Sequence, residues 1–295
     1  MYGGLLFPEF EAWILDERQY EPGGISSGYL PRHRAVAYLL RRFMDEGESA
    51  AQQKTHDLPP THSEVVGMTL LSELQPAIAK AIDNVGGKLP ERVEDRFYFY
   101  ASDHINTAVD AFIVLRREHR IDGARLLVRP ALETMLRLQA VCAKPHLLYR
   151  VVFTETGEID KWHGGVADRH HAPYTSVFDR EEWGKFKALC VSEFGADKLE
   201  DTRLSAYEAA AAAGEQGYYD SYYRAYCQFT HGALEAVGGT YNKFIDTEDT
   251  RVMLRCALDA LDVLVAIGAD CPNIESFRAR FLAIMKEAPD ELARQ

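Results

Sequence analysis

The stretch YYRAYCQFTHGALEAVGG, Tyr222 to Gly239, sets one arginine and one histidine among tyrosines and small residues. Histidine titrates near neutrality, so His231 can carry a proton to or from a reacting oxygen, and the planar guanidinium of Arg224 can grip two phosphate oxygens at once. A helix turns about 100° per residue, which returns His231 to within about 20° of Arg224, two turns along on one face. Acid–base work beside a bound phosphate is the chemistry this pair offers. The same spacing also describes a solvated helix face, because Asp220 and Arg224, and His231 and Glu235, stand four residues apart as surface ion pairs do. Cys227 lies one turn before His231, the spacing of a thiol and its base, and equally that of a small buried hydrophobe.

A second stretch, AVDAFIVLRREHRIDGARLLVRPALETMLRL from Ala108 to Leu138, carries Arg125, Arg129, Glu133 and Arg137 as a ladder of four-residue steps on one helix face. Glu133 can pair with Arg129 or Arg137, and a surface ion-pair ladder is the plain alternative to a site. Pro130 cannot donate to the carbonyl of Leu126, so the helix is expected to bend or loosen there. Asp160, His163, Asp168, His170 and His171 are of metal-ligand type. However, adjacent histidines seldom reach one ion and Gly164 and Gly165 loosen the segment, so ordinary surface histidines are the expectation. Neither a metal nor a cofactor is expected, since the chain has no Gly-rich phosphate loop, zincin pair or Ser-centred elbow.

The elements that must position these residues are helices. Apolar residues recur at helical spacing almost everywhere and alternating β-branched runs are scarce, which predicts an all-α helical bundle. Helices are expected at 34–46, 63–85, 94–119, 124–143, 181–194, 204–213, 216–237, 250–269 and 274–287. Two punctuated connectors, GESAAQQKTHDLPPTH and GGKLPE, divide a peripheral N-terminal helical extension, 1–90, from the bundle, 91–295. Residues 154–179 read as a long loop lying over the bundle.

A chain of 295 residues with 47% hydrophobic content is long enough to bury one sizeable core or two smaller ones. Its apolar runs are shorter than a bilayer span and its start lacks a basic signal region, so no membrane is expected and the cytoplasm is. Five widely spaced cysteines read as reduced thiols. The net charge of -12 argues against a surface that binds nucleic acid everywhere, and leaves room for a local basic patch.

The helix, the basic turn RREHRIDG, ARLLVRPALE and the later YRAYCQFTHG together resemble a group of uncharacterised bacterial all-helical proteins of unknown function. More distantly, they are similar to the HEPN superfamily of nucleotide-binding helical domains. The resemblance covers roughly 94–269. It implies that Arg129 and Glu133 on one helix sit close to His231 from a later one, and that Arg224 and His231 stand for the Arg and His of HEPN nucleases. It further implies an RNA or nucleotide partner, a homodimer built on paired helices, and metal-independent cleavage of a toxin or phage-defence kind, with a 2'-hydroxyl as nucleophile. The chain departs from that pattern at Ala225, where a polar residue is usual, which favours binding over cleavage. The other expectation is a non-catalytic helical scaffold in which Arg129, Glu133 and His231 form a buried polar network.

Overall fold

The computed structural model of the chain describes residues 62–87, 90–169, 180–230 and 243–286, and among these there is no strand. The helices are α1 (His62–Gly86), α2 (Val93–Arg117), α3 (Ile121–Ala143), α4 (Leu147–Arg169), α5 (Arg180–Phe194), α6 (Ala206–Ala213), α7 (216–230), α8 (Lys243–Ala266) and α9 (Ile274–Lys286). The all-α bundle read from the sequence is what forms; the helix expected at 34–46 lies outside the described residues.

Local chemistry explains several boundaries. Helix α2 opens on Glu94 and Asp95 and closes on Arg116 and Arg117, the order that suits the helix dipole. Helix α6 starts with a reciprocal capping box between Ser205 and Glu208 and stops at Gly214, whose φ of 76° a side chain would resist.

The core lies between α1, α2, α3 and α8. Leu70, Leu71, Leu74 and Ile78 of α1, Val109 and Phe112 of α2, Leu132 and Leu136 of α3, and Leu254 and Leu261 of α8 are all 0% exposed. Their spacing of three and four residues is the apolar stripe of a packed helix, and each such side chain contributes about 1.5–3 kcal/mol on burial. Helices α1 and α2 run antiparallel, with Gln75 beside Asn106 and Glu64 paired with Arg116. Helix α8 runs parallel to α1, Ser63 meeting Arg251 near one end. By length and composition alone α1 would suit a bilayer span, yet its leucine face is spent on its neighbours and Glu73 reaches Arg280 of α9.

Two expectations need correcting. The N-terminal extension was drawn to include 62–86, but α1 shares the core of the bundle, and the connector after Gly86 joins two antiparallel neighbours rather than two bodies. The long loop at 154–179 is helical as far as Arg169, while 170–179 lie outside the described residues. The polarity that reads as a loop is a helix face held by side chains. Thr154 and Thr156 donate back to the carbonyls of Arg150 and Val152, Thr154 accepts from the Leu204 amide, Glu155 pairs with Arg137 and Glu158 with Arg203. Pro130 also leaves α3 continuous. It sits on the exposed side, where water can serve the acceptor it orphans.

Two sites make the packing testable. A Cβ at Gly67 would stand 2.9 Å from the methyl of Thr250, which is 1% exposed and has no room to swing. Gly67→Ala should therefore lower stability by about 1–3 kcal/mol in denaturant titration, although alanine is the better helix former; an unchanged or raised midpoint would contradict the close contact of α1 and α8. At the other end of α8, burial pushes the Asp259 carboxyl up to about 6, even though Arg255 holds both of its oxygens at 2.8 and 2.9 Å. The unfolded chain releases this proton at about pH 4, so the folded state binds it more tightly. That stabilisation, about 3 kcal/mol, is complete below about pH 4 and is lost as the pH rises through about 6. The stability difference between the parent and Asp259→Asn should change by that amount between those limits; a pH-independent difference refutes the buried carboxyl.

Candidate functional site

Helix α3 presents Arg125, Arg129, Glu133 and Arg137 in successive turns, as its four-residue spacing requires. The helix that meets this face is α7. It begins as an α-helix at Gln216–Tyr218, widens into a π turn at Tyr219–Tyr223, where the Arg224 amide donates to the carbonyl five residues back, and continues as an α-helix from Arg224 to Thr230. Three of its tyrosines reach inward. Tyr223 donates to Glu133 of α3 at 3.0 Å, Tyr222 to Glu248 of α8 at 2.6 Å, and Tyr226 to Asp249 of α8 at 2.6 Å.

Two layers follow. In the deeper one, Asp249 is 0% exposed and accepts from Arg125 at 2.9 Å as well as from Tyr226, so one carboxylate joins α3, α7 and α8. Burial, reinforced by the Asp249 charge, pushes the Tyr226 phenol well up, which keeps it a donor. In the shallower layer Glu133 takes Tyr223 on one oxygen and Arg137 on the other, at 2.7 Å, while Arg137 also pairs with Glu155 of α4. The Arg129 guanidinium lies 5.7 Å from the centre of the Tyr223 ring. Burial works against the Arg129 charge, but Tyr223, Cys227 and Glu133 together outweigh this and hold its proton more firmly. Burial pushes Tyr223 up to about 12, with Arg129 pulling it down and Glu133 pushing it up. A third cluster stands beside these: Arg251, 3% exposed, bonds Glu248 and Ser63.

The expected site residues therefore part company. Arg129 and Glu133 come together, and the residue of the later helix that Glu133 meets is Tyr223. Arg224 is not part of this cluster; its side chain is 68% exposed and, among the described residues, it pairs with Asp220 at 3.5 Å. His231 lies outside the described residues, as do His170 and His171 and the side chains of His163 and Asp168. Asp160 is half-buried on α4 and Cys227 half-buried on α7. Among the described residues no three potential metal ligands are grouped.

The sequence reading missed Tyr222, Tyr223, Tyr226, Glu248 and Asp249. A helical wheel puts Tyr222 and Tyr226 on the apolar arc, and a buried phenol still needs an acceptor, which is the overlooked signal for a polar partner such as the acids of IDTEDTR. Removing the acceptor should be costly: Asp249→Ala takes away the buried carboxylate that Arg125 and Tyr226 share and should cost about 3–5 kcal/mol, whereas Tyr226→Phe, which leaves the Arg125 pair intact, should cost about 1–2. Denaturant titration of both variants reads this, and equal losses would contradict the order.

No curated protein and no solved structure matches the chain. Residues 103–252, about half of it, match the sequence model of one family, described as a family of unknown function, DUF5677. The matched stretch runs from within α2 into α8, and so takes in the α3 ladder, α7 and both carboxylates that receive them. The chain belongs to this family of unknown function, DUF5677.

Proposed function

We propose that this protein is a helical, RNA- or nucleotide-directed protein of the HEPN-like kind, in which Arg224 meets the anionic ligand and Arg129 and Glu133 hold the helix that carries it. The observation behind this is a division of labour among the cations. Arg125, Arg129 and Arg137 are engaged with Asp249, Tyr223 and Glu133 inside the bundle. Arg224 stands 68% exposed next to one loosely held acid. A guanidinium so placed can leave a 3.5 Å surface contact for a phosphate at little cost, because exposed ion pairs contribute about 0–1 kcal/mol. A chain of net charge -12 attracts no polyanion over distance, so recognition would rest on such local groups.

In the cleavage scheme His231, on the same stripe of the sequence as Arg224, supplies the proton transfer, and a second protomer completes the set of groups. The alternative is a non-catalytic scaffold, and the sealed Arg125–Asp249–Tyr226 bonds favour it, since a fully satisfied network fixes helix packing without any ligand.

Variants separate the two. Arg224→Ala should weaken binding of short single-stranded RNA or ATP at least about tenfold while changing stability by less than about 1 kcal/mol. Arg129→Ala should lower the melting temperature instead. His231→Ala should abolish any cleavage and leave binding measurable. A parent protein inert toward an RNA panel and toward nucleotides, with Arg224→Ala indistinguishable from it, sinks the ligand reading in favour of the scaffold.

A further inference from the structure

The π turn Tyr219–Tyr223 of α7 lies directly before Arg224; Tyr219, Tyr222 and Tyr223 occupy it, and Tyr218 and Tyr226 flank it. Turns of this kind amount to one residue inserted into an α-helix, they are rare, and they often sit at functional sites. Here the insertion falls between two independently anchored parts of one helix. Below it, the ring of Tyr218 lies 5.4 Å from the guanidinium of Arg255, which also bonds Glu215 at 2.9 Å. Above it, Tyr226 is fixed to Asp249. Tyr222 and Tyr223, adjacent in the chain, donate to carboxylates on two different helices, α8 and α3. Within the turn the Tyr219 and Tyr223 rings stack at 5.2 Å with 20° between their planes.

We propose that the tyrosine–carboxylate bonds of Tyr222, Tyr223 and Tyr226 hold a one-residue insertion in α7 as a π turn, and thereby set the direction in which Arg224 points. Without them the segment relaxes to regular α geometry, and everything after the turn rotates by one residue, about 100°. Glu133, Glu248 and Asp249 are positioning residues for Arg224 on this account, acting through the phenols. The mechanical part stands on the bonds just described; the part that concerns ligand binding rests on Arg224 being the ligand-facing group.

Deleting a residue tests the insertion directly. Ser221 and Ala225 are both small and exposed, so losing either removes little packing. Deleting Ser221 in the full chain removes the extra residue and leaves all three phenols facing their acceptors, so the protein should melt close to the parent. Deleting Ala225 must pull either Tyr226 or the Tyr222 and Tyr223 pair off its carboxylate, and should melt far lower. Equal losses from the two deletions overturn the proposal. If neither deletion variant folds, hydrogen exchange on Tyr223→Phe decides: exchange about tenfold faster and confined to 216–230 supports it, and unchanged or uniformly raised exchange refutes it. For the direction of Arg224, the double variant Tyr223→Phe/Tyr226→Phe should bind short single-stranded RNA about tenfold more weakly than the parent, and deleting Ser221 in that background should restore the affinity. Affinity that is unchanged, or not restored, overturns the positioning role. A parent that binds no RNA while the deletions behave as stated upholds the insertion and removes the Arg224 reading alone.

Discussion

The middle of the bundle depends on the carboxylate of Asp249. It is wholly buried and receives Arg125 from α3 and Tyr226 from α7. An ionised carboxylate taken out of water costs several kcal/mol unless its partners are in place, so any arrangement of α3, α7 and α8 that fails to deliver both donors is excluded. Apolar contacts tolerate sliding, and a carboxylate with two directional partners does not. The register of α7 against α3 is set here. Tyr223 then falls opposite Glu133, and Arg129 comes to lie against the Tyr223 ring.

Five successive residues, Thr247 to Arg251, are each at most 6% exposed, which is unusual for so polar a run. Helix α8 therefore enters the bundle through a polar collar and only afterwards presents the apolar stripe of Val252, Met253 and Leu254. The collar consumes cations that a sequence count would assign to the surface. Arg125, Arg251 and Arg116 are each at most 8% exposed. Glu94, Glu248, Asp249 and Asp259 are buried as well, so among the described residues burial leaves the outward-facing charge no more acidic than the total of -12 suggests.

The fold was legible because periodicity reports burial. Where apolar residues recur every three or four positions, as in Leu70, Leu74 and Ile78 or Val128, Leu132 and Leu136, the helix is present within a few residues of its expected bounds. The reading failed in α4, where Thr154, Glu155, Thr156 and Glu158 look like a loop until their partners on α3, in the segment just before α6 and in the preceding turn are seen. Of the site, Arg129 and Glu133 were legible as a pair on one face. Tyr223 was not, because a helical wheel assumes a constant 3.6 residues per turn and the π turn breaks that phase; the wheel placed Tyr226 on the apolar arc but hid its role, because a phenol scores as apolar while its hydroxyl decides where it goes.

The bonds that close the bundle also span the chain. Ser63 waits for Arg251, 188 residues later, Ser102 for Ala260, 158 later, and Glu73 for Arg280, 207 later. During synthesis α1 and α2 leave the ribosome long before α8 exists. Their inward leucines and isoleucines stay less covered over that interval, longest for the face of α1 that packs against α8 and α9. Contacts this distant in sequence slow the final closure even when every helix forms quickly. A nascent chain truncated before Lys243 thus carries an open apolar trough along α1, a surface for chaperones or for aggregation, which the finished protein no longer shows.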